Sequence, residues 1–286
     1  MVYLSHFEFP DREAEDSWRF HLKPTCYNTY YPFYILSAHS LKMLDFEPVT
    51  ILYGGNGSGK STALNVIAEK LGIARESAYN RSNFYGDYCA LTSYIAENRI
   101  PEESRIITSD DVFDFMLDIR KMNEGLDTAR EGMYDEWISR RNTPFKMNSL
   151  DDYAELKRTL NARRKTYSSF VRSDLPGNIR EHSNGESALL YFRDKVREDA
   201  LYLLDEPENS LSPERQIELA KFLEESARFF NCQLIISTHS PFLLAMNGAK
   251  IYDLDEETVD VKRWTELKNV RAYYDFFKDH EREFRR

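Results

Sequence analysis

A glycine-rich segment between residues 54 and 62 carries the clearest chemistry in the sequence. Its residues are Gly54, Gly55, Asn56, Gly57, Ser58, Gly59, Lys60, Ser61 and Thr62. The glycines let the backbone wrap closely around phosphate groups, and successive N–H groups form a nest for anions. Lys60 has the length to reach terminal phosphates, and the Ser61 hydroxyl is a suitable Mg²⁺ ligand. The spacing therefore predicts a binding loop for a nucleoside triphosphate with Mg²⁺.

Two adjacent carboxylates follow an apolar run at residues 200–204. Asp205 and Glu206 stand at the end of this predicted buried strand. Buried acids without a partner are costly, and a Mg²⁺ ion on nucleotide phosphates supplies that partner. We expect Asp205 to hold the metal and Glu206 to orient and activate the attacking water. Two solvent-exposed acids in a strand-to-helix loop are the alternative.

A histidine ends the next apolar run, at residues 234–237. His239 is expected near Asp205, because ligands of parallel α/β sheets bind at the carboxyl ends of the strands. There it would donate a hydrogen bond to a γ-phosphate or to the attacking water. A single histidine at a strand end is otherwise a structural residue.

Alternating strands and helices surround these residues. The predicted strands are Tyr3–Phe9, Tyr31–Leu36, Val49–Tyr53, Arg105–Thr108, Ala200–Leu204, Gln233–Ser237, Lys250–Asp253 and Val259–Arg263. The predicted helices are Ser61–Leu71, a charged stretch over 110–172, Ser187–Arg197 and Pro213–Phe229. Continuous apolar strands between helices predict an α/β fold with a mostly parallel sheet. We assign residues 1–95 and 180–286 to a nucleotide-binding core and 96–179 to an inserted helical lobe.

Two further segments lie beside these motifs. Ser183-Asn184-Gly185-Glu186 opens a predicted helix, and Glu208-Asn209-Ser210-Leu211-Ser212-Pro213 precedes another. Either one is also an ordinary helix start. Together with the loop, the acidic strand end and His239, they resemble the ABC-class ATPases. Within that class the sequence is similar to the small soluble bacterial predicted ATPases of the RecF/SMC-like kind.

The resemblance implies a P-loop NTPase of ABC-ATPase type with an N-terminal antiparallel β subdomain. It implies ATP and Mg²⁺ as cofactors and hydrolysis of ATP to ADP and phosphate, with Glu206, His239 and Lys60 as catalytic residues. Ser183 and Gly185 match the signature residues that contact the γ-phosphate held by the opposing subunit. We therefore expect a head-to-tail homodimer in which each copy completes the site of the other.

The sequence departs from the family pattern in two places. In the signature, His182 stands where leucine is usual, Asn184 replaces the first glycine and Glu186 replaces glutamine. The family also has a glutamine between the phosphate loop and the helical lobe, which contacts Mg²⁺ and water. Here the two glutamines lie far downstream, so Ser109 or Asp110 is the candidate substitute, and a slow turnover is expected.

Four aromatic residues precede the phosphate loop at the distance where transporters of this class place an adenine-stacking ring. They are Tyr30, Tyr31, Phe33 and Tyr34. Packing of these rings in the core is the favoured interpretation, and stacking on adenine is the alternative.

The composition is that of an ordinary soluble globular protein, with 42% hydrophobic and 30% charged residues. No apolar run approaches the roughly 20 residues of a membrane helix, and the first residues do not read as a secretory signal. Three scattered cysteines, Cys26, Cys89 and Cys232, are expected as free thiols. These features indicate a cytoplasmic protein without membrane insertion.

Charge is distributed unevenly along the chain. The net charge is −10, yet the segment Arg140–Arg180 has ten basic and four acidic residues. Clustered Arg and Lys suit nucleic-acid phosphates, so an ATPase linked to DNA or RNA, in DNA maintenance or phage defence, is the first hypothesis. A solvated helix face explains the same charges. An ATP-gated clamp acting through a soluble effector protein is the second hypothesis, and a transporter ATPase subunit is the third.

Overall fold

The structure is a computed structural model that describes residues 1–23, 26–27, 29–142, 152–174, 184–256 and 258–285. The chain divides into two compact units, residues 1–113 with 184–286, and residues 114–183. The strand at 105–108 belongs to the first unit, because it pairs with the strand that ends at Asp205. The first unit thus extends past residue 95, where the sequence interpretation ended the first segment of the core.

The helices and strands have the following bounds. The strands are β1 (Leu4–Glu8), β2 (Met43–Asp45), β3 (Val49–Tyr53), β4 (Ser93–Ala96), β5 (Arg105–Thr108), β6 (Leu201–Asp205), β7 (Gln233–Thr238), β8 (Lys250–Asp253) and β9 (Asp260–Val261). The helices are α1 (Arg12–His21), α2 (Lys60–Leu71), α3 (Tyr85–Ala90), α4 (Ser109–Asn142), α5 (Tyr153–Arg164), α6 (Tyr167–Asp174), α7 (Asn184–Lys195), α8 (Pro213–Phe229), α9 (Pro241–Leu244), α10 (Lys268–Asp279) and α11 (Glu281–Phe284).

The first unit is built on a six-stranded sheet with the order β5-β6-β7-β3-β8-β9. All neighbours are parallel except β9, which is antiparallel to β8. Strands β3 and β7 are buried along their whole length, which explains their continuous apolar sequences. A second, antiparallel sheet has the order β2-β1-β4. The predicted α/β fold with a mostly parallel sheet and an N-terminal antiparallel β subdomain is confirmed.

The predicted strand at Tyr31–Leu36 is wrong. These residues form turns that lead into a short 3-10 helix at Ser37–His39. Tyr34 has a φ of 67°, which interrupts any extended strand. Its N–H donates to the Glu15 carboxylate, and Phe33 stacks on Trp18 with ring centroids 3.8 Å apart. Packing against α1 therefore bends a segment whose composition alone favours a strand.

The second unit consists of helices in its described part. Trp137 donates to the Lys165 carbonyl over 3.3 Å. Arg140 forms ion pairs with Glu136 at 2.6 Å and with Glu155 at 3.5 Å. Part of the positive charge in the basic segment is thus paired within the unit. Of the helices in the described ranges, none combines the length and the apolar character that crossing a membrane requires.

The buried amide of Gln233 links the two sheets of the first unit. Gln233, at the start of β7, is fully buried. Its Oε1 accepts hydrogen bonds from the N–H groups of Tyr3 at 2.8 Å and Leu4 at 2.9 Å. Its Nε2 donates to the Leu4 carbonyl at 2.7 Å. The side chain thus satisfies backbone groups of β1 and its approach, which belong to the antiparallel sheet.

We predict that Gln233→Met lowers the free energy of unfolding by about 3 kcal/mol. Methionine keeps the volume but leaves buried N–H groups without an acceptor, each costing about 1–3 kcal/mol. Equilibrium urea unfolding measures the loss. Ser93→Ala is the control, because it removes an exposed hydrogen bond to Glu8 in the same antiparallel sheet. An equal loss in both variants would contradict the role assigned to Gln233.

Candidate functional site

The glycine-rich loop connects β3 to α2, as its sequence predicts. Gly57 has a φ of 87° and Gly59 a φ of 90°, values that favour glycine. A Cβ atom on Gly59 would lie 2.8 Å from Leu36 Cδ2, whereas one on Gly57 would meet no atom within 4 Å. Gly59 is therefore required for packing as well as for backbone conformation. The loop is tied at its start by Asp255, which accepts from the Gly55 N–H over 2.7 Å.

Lys60 lies inside the loop that precedes it. The residue is buried, and its Nζ donates to the carbonyls of Gly54 at 2.7 Å and Gly55 at 3.0 Å. The Glu206 carboxylate lies 3.8 Å from the same nitrogen. The ammonium group is thus held at the centre of the loop, with carbonyl dipoles and one carboxylate compensating its charge.

Asp205 and Ser61 form an oxygen-rich pair at the end of β6. Ser61 Oγ donates to Asp205 Oδ1 over 3.0 Å, and the Ser237 hydroxyl donates to the same oxygen. Burial raises the pKa of the Asp205 carboxyl, outweighing these two hydrogen bonds, and the neighbouring Glu206 charge raises it further. A hydroxyl beside a desolvated carboxylate matches the hard oxygen ligands that Mg²⁺ prefers. These residues therefore fit the metal that the sequence predicts.

Glu206 adopts a backbone conformation that is rare for its residue type. Its φ is 48°, and its N–H donates to the Ser237 carbonyl over 3.0 Å. Asn209 Nδ2 donates to Glu206 Oε2 over 3.1 Å. The other oxygen, Oε1, lies 3.8 Å from Lys60 Nζ and 3.9 Å from His239 Nδ1. Left-handed backbone in a residue other than glycine is concentrated at functional sites, where the surrounding structure imposes it.

A third carboxylate, Glu208, supports the loop that carries His239. Glu208 Oε1 accepts from Thr238 Oγ1 at 2.5 Å and from the N–H groups of His239 at 3.0 Å and Ser240 at 3.2 Å. His239 Nδ1 lies 3.5 Å from the same oxygen. The sequence analysis did not single out Glu208 or Asp255. The repeated acids of Asp205-Glu206-x-Glu208 were the available signal for the first, and nothing in the sequence marked the second.

The position expected for the missing glutamine lies beside Asp205. Thr108, the last residue of β5, is the register partner of Asp205. Ser109 and Asp110 follow at the start of α4, and Asp110 is exposed. The next residue, Asp111, is instead buried and accepts from the Thr108 N–H over 2.7 Å. A role of Ser109 or Asp110 in place of the glutamine stays a prediction.

The four aromatic candidates for adenine stacking pack among other rings. Phe33 is buried against Trp18, and Tyr31 packs 5.9 Å from Tyr85 between ring centroids. A cleft of about 300 Å³ lies at the phosphate loop. Its described lining is Ile35, Asn56, Gly57, Gly59, Lys60, Ser61, Thr62 and Glu206. Ile35, which follows the four aromatic residues in the sequence, lines the cleft. The Tyr31 hydroxyl lies 3.3 Å from Thr62 Oγ1, at the edge of the cleft.

The signature-like segment is only partly described. Ser183 lies outside the described residues. Gly185 lies in the first turn of α7, where a Cβ atom would be 3.7 Å from the Ser210 carbonyl oxygen. Glu186 forms an ion pair with Arg215 of α8 at 3.0 Å. The ion pair thus ties the described start of α7 to α8 of the same chain, and Gly185 is not among the described residues that line the phosphate cleft.

The parallel sheet, the glycine-rich loop between β3 and α2 and the acidic end of β6 together form an α/β fold of P-loop type. Residues 178–245 match the family model described as "AAA domain, putative AbiEii toxin, Type IV TA system". Among curated proteins, none matches the chain by sequence.

Several solved structures are similar to the chain at low sequence identity. The Smc head domain of Pyrococcus furiosus, bound to the C-terminal domain of ScpA, has a TM-score of 0.44 at 14% identity, covering 98% of this chain and 100% of that one. The SMC head domain of Thermotoga maritima has a TM-score of 0.36 at 15% identity, with 77% and 92% covered. A dimeric ATP-binding cassette bound to ADP and Pi has a TM-score of 0.37 at 14% identity, with 79% and 90% covered.

We predict that Gly59→Ala destabilises the protein by about 1–2 kcal/mol more than Gly57→Ala does. Both substitutions place a side chain at a positive φ, but only the first forces Leu36 to move in a packed core. Thermal and urea unfolding without nucleotide measure the difference. Equal losses would mean that the loop is not packed against Leu36 as described.

We predict that Asp205→Asn stabilises the nucleotide-free protein at pH values above the acidic range. The raised pKa means that the folded state binds a proton on Asp205 more tightly than the unfolded state does. This stability is present below the ordinary aspartate pKa of about 3.8, and it is lost as the pH rises through the raised pKa of the folded state. Asparagine keeps the acceptor oxygen and removes this cost, so we expect a melting temperature about 3 °C higher at pH 7.

The measurement is a melting curve at several pH values for wild type and variant, with and without Mg²⁺ and ATP. The gap between the two proteins should close at low pH. Mg²⁺ with ATP should raise the melting temperature of the wild type more than that of the variant. A variant that melts below wild type at neutral pH would contradict the desolvation of Asp205.

Proposed function

We propose that this protein binds ATP with Mg²⁺ at residues 54–62 and hydrolyses it to ADP and phosphate. One observation carries the proposal: Lys60, Ser61, Asp205, Glu206 and His239 meet at the carboxyl ends of β3, β6 and β7. Together these groups suit the requirements of phosphoryl transfer to water. Lys60 suits charge neutralisation, and Ser61 with Asp205 suits metal binding. Glu206 suits water activation, and His239 suits contact with the γ-phosphate.

The geometry suits a defined role for each residue. Ser61 and Asp205 would hold Mg²⁺, which neutralises phosphate charge when the nucleotide is bound. Lys60 would exchange the carbonyls of Gly54 and Gly55 for phosphate oxygens, since its ammonium group already lies within the loop. Glu206 would accept the proton of the attacking water, because it lines the cleft and its Oε1 lies 3.8 Å from Lys60 Nζ.

His239 would contact the γ-phosphate or the attacking water. Glu208 supports this role, because it accepts hydrogen bonds from the backbone at His239 and Ser240 and so fixes the loop. The imidazole itself is half exposed and lies within 4 Å of Glu206 Oε1. A histidine whose backbone is fixed and whose half-exposed ring lies beside Glu206 is placed to contact the terminal phosphate.

A second copy of the chain would complete each site. The cleft at the phosphate loop is open, and its described lining comes from the loop, Ile35 and Glu206. The signature-like residues Ser183 and Gly185 are expected, by resemblance, to cover the γ-phosphate held by the opposing copy. We therefore propose a head-to-tail homodimer that closes on ATP and reopens after hydrolysis.

We predict that Glu206→Gln retains ATP binding and lowers the hydrolysis rate at least about 100-fold. Removal of a general base has this order of effect, and glutamine keeps the size and the acceptor for Asn209. In Mg²⁺ and ATP, light scattering should report twice the mass of the nucleotide-free variant. Glu102→Gln is the matched control, since Glu102 is exposed on the loop before β5, and it should behave as wild type.

Three results would contradict parts of this proposal. Undiminished hydrolysis in Glu206→Gln would remove the role of the base. Failure to bind ATP would mean that the residue serves binding. A monomer both with and without ATP would show that the second copy does not complete the site.

Coupling to a protein effector is the second part of the proposal, and the C-terminal helix favours it. Tyr273, Tyr274, Phe276 and Phe277 of α10 are each about half exposed. Asn269, near the start of α10, donates to the His239 carbonyl over 2.7 Å. An exposed aromatic helix is thus tied to the loop expected to sense the γ-phosphate.

A nucleic-acid-linked role remains the other candidate for what ATP drives. It depends on the basic segment Arg140–Arg180, within which Arg140 is already paired with Glu136 and Glu155. That pairing reduces the charge available to phosphates. We also propose a cytoplasmic location, where ATP is abundant and where free cysteines such as Cys89 and Cys232 stay reduced.

A further inference from the structure

A second cavity lies next to the His239 loop and is separate from the phosphate cleft. We call it the α10 pocket. It has a volume of about 510 Å³. Its walls come from residues 208–216, from residues 239–242, which form the His239 loop, from Trp264 and from α10. The ring-bearing residues Phe242, Trp264, Tyr273 and Phe277 line it. Trp264, Tyr273 and Phe277 are 40–52% exposed, so their rings are open to a ligand.

One buried carboxylate belongs to the same pocket. Glu208 lines the cavity and is only 4% exposed. Its Oε1 holds Thr238 and the backbone of the His239 loop, but its Oε2 has no hydrogen-bond partner among the described residues. A buried carboxylate oxygen without a partner is costly, and a positive charge brought close to it offsets that cost.

The one basic side chain in the described lining is His239, whose Nδ1 lies 3.5 Å from Glu208 Oε1, the oxygen that already has partners. Apart from His239, the described residues that line the α10 pocket include no lysine and no arginine. Aromatic rings attract cations to their faces, most strongly when the site excludes water. Rings around a buried carboxylate therefore favour a cation with an apolar stem. Arginine fits best, because its planar guanidinium stacks on rings while its methylene groups cover apolar surface.

We propose that the α10 pocket binds an arginine side chain of a basic protein partner. The net charge of −10 favours association with a protein of opposite charge. The guanidinium lies among the rings above Glu208, and the partner surface covers Trp264, Tyr273 and Phe277.

The pocket shares a wall with the candidate ATP site. His239 lines the pocket, and its Nδ1 also lies 3.9 Å from Glu206 Oε1. A partner seated in the pocket is therefore positioned to influence the loop expected to sense the γ-phosphate. That influence rests on the proposed function, whereas binding of the arginine does not. A test without nucleotide therefore separates failure of one from failure of the other.

Tryptophan indole NMR tests the proposal on the full chain. The sequence has three tryptophans. Trp264 lines the pocket, Trp18 stacks on Phe33 and Trp137 lies in the second unit, so two of the three indole signals are internal controls. The probe is Nα-acetyl-arginine methylamide, and the matched neutral probe is the citrulline analogue. Trp264→Phe assigns the signal.

The expected result is a saturable shift of the Trp264 signal alone, with the arginine probe binding at least tenfold more tightly than the citrulline probe. Glu208→Gln, which keeps the acceptor and removes the charge, should weaken arginine binding at least tenfold and abolish the preference over citrulline. Phe277→Ser removes a half-exposed ring of the pocket and should also weaken binding of the arginine probe. This variant provides the test if Glu208→Gln does not fold.

Several results would overturn the proposal. They are an unchanged Trp264 signal up to the solubility limit of the probe, equal binding of both probes, and equal shifts of all three indoles. A Trp264 signal that changes with protein concentration in the absence of probe would show that a second copy occupies the pocket.

Discussion

The register of three parallel strands is the constraint on which the rest of the site depends. Asp205 of β6 pairs with Ser237 of β7, and Thr238 pairs with Tyr53 of β3. The phosphate loop begins directly after Tyr53, and Glu206 follows Asp205. A one-residue slip would turn every side chain of a strand to the other face of the sheet and would break this alignment. Residues far apart in sequence thus meet at one edge.

Charge compensation at this edge is shared among several groups. Asp205 is held by the hydroxyls of Ser61 and Ser237, Lys60 by two carbonyls, and Glu208 by the backbone of the His239 loop. No described cation lies in hydrogen-bond contact with Asp205. Dipoles of this kind lower the cost of buried charge without removing it. The arrangement is therefore suited to bind a metal and a polyanion that complete the compensation.

Some of the positive-φ residues and exposed rings of the first unit lie near this edge of the sheet. Gly57, Gly59 and Glu206 have positive φ values there, and the aromatic side of α10 begins beside the His239 loop. The core elsewhere is conventional: an apolar parallel sheet, joined to the antiparallel sheet through the buried amide of Gln233. Gln233 contributes to stability from outside the candidate site, so a substitution there tests folding without changing the residues expected to do chemistry.

The sequence by itself determined the elements whose signals are local. The spacing of the glycine-rich loop, the apolar runs of β3, β6 and β7 and the bounds of α8 were readable, because each depends on neighbours along the chain. The α/β class follows from those elements. The bend at 31–36 was not readable, because its cause is the packing of Phe33 and Tyr34 against Trp18 and Glu15 of α1. The short strands β2 and β4 have no strong pattern of their own and exist through pairing with β1.

Tertiary structure alone decided the contacts between distant segments. Asp255 meets the phosphate loop and Glu208 holds the His239 loop because the sheet brings their loops together, not because of any local pattern. The α10 pocket has the same origin, since its carboxylate and its rings come from segments that only the fold makes neighbours. Local physics specifies loops, strands and helices, whereas the partners of buried polar groups are specified by which chain segments pack against one another.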